Sequence, residues 1–191
     1  MNLESQKHHR RSIRLKDYDY TQPGAYFVTV CTHRTTCLFG EIVAGVMRLN
    51  SIGKAVEEEW LKTPILRPNV GLDEYVVMPN HLHGIVMMTD CGRGVLRYAP
   101  TLSRFSSPSQ TFGAIVRGFK SAPTKRINRL RGTPGQPVWQ RNYYEHIIRD
   151  ERSLHRIQQY VDNNPQRWHM DRYNPEAKGQ DAFDPRLEGI A

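Results

Sequence analysis

The chain has little cysteine: three in 191 residues, Cys31, Cys37 and Cys91, at irregular spacing. An odd, unpatterned count makes no disulfide framework and fits a reducing cytoplasm, the location expected here. It also lacks any apolar run near the roughly 20 residues of a membrane helix, so no membrane partner is expected. The opening MNLESQKHHRRSIR is polar and basic, without the apolar core of a secretory signal. Internal repeats and low-complexity tracts are missing too. What is left is a composition for about one globular domain with tails, 38% apolar and 24% charged.

The most informative absence is acidic. From Cys91 to Tyr144 there is no Asp or Glu, while ten Lys or Arg occur, among them Arg117, Lys120, Lys125, Arg126 and Arg141. The whole chain carries a net charge of +8. A long segment of one sign creates a local positive potential suited to a polyanion, and Phe105, Phe112, Phe119 and Trp139 lie among the charges. Nucleic acid is the partner this pattern predicts; the bland alternative is a solvated basic surface. Arg10 and Arg11, in a basic arm over residues 1–20, are further candidates to grip phosphates.

Local patterns predict the elements. AYFVTVCT (25–32) reads as a strand, and CLFGEIVAGVMRLN (37–50) as a hairpin turning near Ala44-Gly45. Ser51 is the expected cap of a helix that Pro64 ends. VGLDEYVVM and HLHGIVMM are strands joined through Pro79-Asn80. A loop over 91–109 precedes a helix from about Gln110, which Pro123 should kink or interrupt. VWQRNYYEHII (138–148) reads as one strand, and Asp150 caps a last helix that Pro165 closes. The stretch from about Trp168 is polar, with little to bury. Hairpins interrupted by two or three helices predict an α+β fold: a ferredoxin-like or RRM-like antiparallel sheet with helices mainly on one face.

Within this frame, MPNHLHGIV (78–86) raises the chemical question. Side chains alternate along a strand, so His81 and His83 share one face and Leu82 points to the other. The expectation is that the imidazoles emerge on an accessible surface, as a structural pair or as two ligands of a divalent ion. Tyr160 and Asn164, four apart, share a helical face and offer a hydroxyl beside an amide oxygen. On the residues alone, a half-buried tyrosine and a helix-ending asparagine is the favoured reading. Cys31, His33 and Cys37 lack a fourth ligand at zinc spacing and read as core strand residues; Tyr143 and Tyr144 are rival nucleophiles but read as strand aromatics, since adjacent residues face opposite ways and only one can reach the site.

The ordered set of MPNHLHGIV, the basic segment GAIVRGFKSAPTKRINRL, and WQRNYYEHIIRDE followed by QQYVDNNP resembles the REP-associated tyrosine transposases. These are a branch of the IS200-like single-tyrosine HUH nucleases, and the resemblance spans about residues 10–170. It implies a catalytic domain over 21–167 and a polar tail over 168–191. It implies His81 and His83 as metal ligands, Tyr160 as the nucleophile, and Asn164 in the place of a ligating Gln of relatives. The implied cofactor is a divalent ion, Mg or Mn. The implied activity is a transposase endonuclease that cuts and rejoins single-stranded or hairpin DNA through a 5′-phosphotyrosine, in a bacterial cytoplasm. Arg10, Arg11, Arg117, Lys120, Lys125, Arg126 and Arg141 would bind the DNA. A homodimer is expected, with a monomer as the alternative. The competing function is an RRM-like module that holds nucleic acid without cutting it. A small-substrate metal hydrolase is disfavoured, since further His and Asp ligands of the HxHxDH kind are missing.

Overall fold

The computed structural model describes residues 18–89 and 111–177. Arg10, Arg11, the expected loop over 91–109 and the polar stretch beyond Ala177 lie outside the described residues. In chain order the elements are β1 (Gly24–Cys31), β2 (Gly40–Val43), β3 (Val46–Leu49), α1 (Ser51–Leu61), α2 (Thr63–Leu66), β4 (Val70–Val77), β5 (His81–Met88), α3 (Phe112–Leu130), β6 (Tyr144–Ile148) and α4 (Glu151–Asn163). Single 3-10 turns span His33–Thr35 and Pro165–Met170.

Four strands form one sheet in the order β4-β5-β1-β6, every pair antiparallel. Numbered among themselves along the chain, they lie second, third, first, fourth, with helices after the first and the third. That is the ferredoxin-like order. β2 and β3 form a separate hairpin whose turn residues, Ala44 and Gly45, both have positive φ. Such a turn matches the twist of the strands it joins.

On one face of the sheet, Tyr26, Val28, Val30, Leu82 and Val86 pack against Val56 and Trp60 of α1 and Phe112, Ile115, Val116, Phe119 and Ile127 of α3. On the other face, Phe27, Ile85 and Ile148 meet Ile157, Tyr160 and Val161 of α4. The two long helices of the first layer thus share one face, while α4 covers part of the second.

Three local expectations give way to stronger competitors. Asn50, not Ser51, caps α1: its Oδ1 accepts from the backbone N–H of Ile52 and Gly53, both at 2.9 Å. α3 runs unbroken through Pro123. An internal proline costs about 3 kcal/mol, but burying Phe112, Ile115, Phe119 and Ile127 on the same stripe stabilises the helix by about 1.5–3 kcal/mol each. The expected strand over 138–148 shrinks to Tyr144–Ile148 plus an isolated bridge of Trp139 to Thr32. Here the Lys120 ammonium takes the carbonyls of Gln140 (2.5 Å), Arg141 (3.0 Å) and Asn142 (3.5 Å), so the segment wraps around a cation instead of joining the ladder.

Candidate metal and nucleophile site

β5 pairs with β1 so that Cys31 lies opposite His81 and Thr29 opposite His83. Period-2 alternation then puts Leu82, Gly84 and Val86 toward α1 and α3, and both histidines toward α4. Gly84 leaves room for Trp60, whose ring would lie 2.4 Å from a Cβ at that position. The shared face is as expected. The exposure is not: His81 is 0% and His83 1% exposed. Apolar packing of Ile157 and Val161 seats α4 over this face, and the 3-10 turn at Pro165 sends the chain back across the histidines. Trp168 and Tyr173 cover His81, with ring centroids 6.1 and 4.8 Å away. Phe27 stacks on His83 at 5.3 Å. The polar stretch after Trp168, expected to bury little, is therefore part of the site.

Each imidazole is held from behind by a hydrogen bond at Nδ1. His81 Nδ1 lies 2.8 Å from Asn80 Oδ1, and His83 Nδ1 lies 2.9 Å from Thr29 Oγ1. The two Nε2 atoms consequently face each other at 3.0 Å. Tyr160 Oη is 3.3 Å from His83 Nε2, and Asp171 Oδ2 is 3.8 Å from His81 Nε2. Asp171 turns that oxygen inward because its Oδ1 accepts the Tyr173 backbone N–H at 2.6 Å. One ligand atom each from His81, His83 and Asp171 lies within 4.8 Å of the others. Tyr160 and Asp171 are 5% and 4% exposed.

Asn164 caps the C-terminus of α4 one turn past Tyr160, is 1% exposed, and has no hydrogen-bond partner for either amide atom among the described residues. An orphaned buried amide is costly unless something is bound there. A carboxylate buried beside two imidazoles likewise calls for positive charge. Two nitrogens and a carboxylate form a donor set that fits Mn, Zn or a related divalent ion better than Mg, which prefers oxygen ligands.

The sequence-expected residues thus divide. His81, His83 and Tyr160 come together within one chain. Sequence reasoning misses Asp171, because neither spacing nor type marks an aspartate in a polar stretch past the last helix. Tyr144 stands opposite Thr29, on the histidine face, while Tyr143 packs on Phe112 at 6.2 Å. Cys31 is a buried strand residue and Cys37 is exposed. Of the basic residues, Arg117, Lys125 and Arg141 are exposed. Arg126 pairs with Glu58, and Lys120 is spent on main-chain carbonyls, its pKa lowered by burial against a smaller upward pull from Cys31.

Among known proteins, an uncharacterized protein of Haemophilus influenzae is 45% identical over 168 residues, covering 86% of this chain and 92% of that one. The two belong to one family. No protein-family model matches the chain. The solved structure of a REP-associated tyrosine transposase bound to a REP hairpin matches with a TM-score of 0.53 at 19% identity, over 80% of this chain and 73% of that chain. The two share a fold. No helix of that fold among the described residues is long and apolar enough to cross a membrane.

Proposed function

We propose that the protein is a metal-dependent single-stranded DNA endonuclease and transposase in which Tyr160 forms a 5′-phosphotyrosine. The observation that carries this reading is a phenol 3.3 Å from one of two facing imidazoles, with a buried carboxylate beside the other, all in one chain. The transposase fold supports it, and so does the acid-free basic segment. His81 and His83 would hold the ion through Nε2 and Asp171 through Oδ2, with Asn164 as a further oxygen donor.

When bound, the divalent ion supplies charge against a phosphate oxygen and is worth several kcal/mol of transition-state stabilisation. The chain supplies the rest. α4 orients the Tyr160 phenol, a weak nucleophile at its usual pKa of about 10. Tyr160 Oη forms a bond to phosphorus as the bond from phosphorus to O3′ breaks, and the phenolic proton ends on the released 3′-OH. The phosphodiester is conserved in the link, so a 3′-OH can reverse the step and rejoin strands without ATP. Arg117, Lys125 and Arg141, all exposed, would hold phosphates and, since phosphate contacts position without reading sequence, would not set the target. By analogy with the hairpin-bound transposase, the substrate is a hairpin-forming repeat.

The test is incubation with a labelled hairpin oligonucleotide carrying a single-stranded flank, in Mn. A denaturation-stable protein–DNA adduct is expected, lost in Tyr160→Phe and on chelation. DNA binding without an adduct would make the protein a non-cutting module. An adduct that survives Tyr160→Phe but not Tyr144→Phe would move the chemistry to the strand tyrosine.

A further inference from the structure

Asn80 sits at the β4–β5 turn, fully buried, and its side-chain amide has three partners. Nδ2 donates to the main-chain carbonyls of Thr35 at 2.9 Å and Tyr173 at 2.7 Å. Both are pure acceptors, so a flipped amide would press Oδ1 against two carbonyl oxygens. The orientation is therefore determined: Oδ1 faces His81 Nδ1 at 2.8 Å. An amide oxygen only accepts, hence His81 Nδ1 carries the hydrogen, and the neutral ring has its lone pair on Nε2. That is the nitrogen facing His83 Nε2 and Asp171 Oδ2. The Thr29 hydroxyl against His83 Nδ1 can donate or accept, so in the metal-free protein the His83 tautomer follows from the 3.0 Å contact instead, in which His83 Nε2–H donates to the bare His81 Nε2.

We propose that Asn80 is a positioning residue that locks His81 in its Nδ1–H tautomer and, through Tyr173, fastens the segment carrying Asp171 to the same histidine. One amide thereby sets both the electron pair of one candidate ligand and the approach of another. The tautomer half stands on hydrogen bonding alone; the ligand half rests on the metal site proposed above. Partners of this kind, acting behind a ligating histidine, typically change metal affinity by about 10–100-fold.

The experiment is a long-range proton–nitrogen correlation spectrum of metal-free protein with 15N-labelled histidine, at about pH 8, where imidazole is ordinarily neutral. His81 should show a protonated Nδ1 and a bare Nε2. A protonated Nε2 in the wild type overturns the proposal without need of any variant. Asn80→Asp keeps an acceptor toward His81 but turns its second oxygen against the Thr35 and Tyr173 carbonyls, so it should retain the tautomer while losing the tie to the Asp171 segment. In Asn80→Ala, Mn affinity should fall by about 10–100-fold and the proton should move to Nε2. If Asn80→Ala folds and His81 keeps its Nδ1 proton there, Asn80 is only scaffold. The expected tautomer in a wild type that forms no DNA adduct would leave Asn80 its role and remove the transposase chemistry instead.

Discussion

Replacing Gly84 by alanine adds a single methyl group at the point where α1 meets the histidine strand. That Cβ would stand 2.4 Å from Trp60 Cζ2 and 3.1 Å from both Cε2 and Cη2. Ordinary carbon contacts begin near 3.5 Å, so the indole or the strand must move by about 1 Å. The indole cannot retreat freely: it is 1% exposed and packed edge-on against Phe119, with ring centroids 5.0 Å apart. Interiors at crystal-like density transmit such shifts rather than absorb them. Overpacking of this kind costs about 1–3 kcal/mol. Alanine also narrows the unfolded ensemble, which returns about 0.4–1 kcal/mol and does not reverse the sign. At about 2–4 °C per kcal/mol for a domain of this size, Tm should fall by several degrees. Thermal and urea unfolding of Gly84→Ala, Trp60→Leu and the double variant would measure it. The shorter leucine vacates the clash, so the double variant should be little worse than Trp60→Leu alone. A neutral Gly84→Ala, or strictly additive effects, would refute the reasoning.

Asp171→Asn removes the only carboxylate of the His-His-Asp group and should weaken Mn binding in the absence of DNA by at least about tenfold, ~1.4 kcal/mol; an unchanged titration isotherm would remove Asp171 from the site. Lys120→Met should loosen the Gln140–Asn142 wrap, and its cost should depend on pH. Because burial lowers the folded pKa of Lys120 below its ordinary value of 10.5, the wild type should gain stability over the variant as pH rises through the lowered folded value toward 10.5; parallel stability curves across that window would contradict this. Removing Arg117, Lys125 and Arg141 together should reduce affinity for single-stranded DNA and flatten its salt dependence by about 0.7 log units per log unit of salt for each phosphate left unneutralised. Filter binding at several salt concentrations reads this directly, and an unchanged slope would place DNA on another surface.

The parts of the fold governed by nearest neighbours are legible in the sequence. The alternation through His81–Met88, the Pro79-Asn80 turn, the Ala44-Gly45 hairpin and the Asp150 cap, whose Oδ1 accepts from Ser153 N at 2.7 Å, each follow from residues a few positions apart. The rest depends on long-range packing. A rule about proline breaks α3 on paper, yet the buried stripe on either side of Pro123 outweighs it. Net charge marks Lys120 and Arg126 as ligands for phosphate, while the folded chain turns one onto carbonyls and the other onto Glu58. Alternation assigns the histidines a face but says nothing about what lies over that face. Asp171 reaches them only because the chain reverses at Pro165, a three-dimensional event without a periodic signature.

That Tyr160 approaches the histidines of its own chain has a consequence for reaction order. If the chemistry proposed here holds, severing a strand is unimolecular in the bound complex, and its rate is indifferent to dilution once DNA is saturating. One polypeptide owns one phenol in this position and can therefore be esterified to one broken end at a time. Exchange between two loci then proceeds either by successive turnovers at a single centre or by two chains meeting on one synapse. Only the second route should show a rate that climbs with the square of protein concentration.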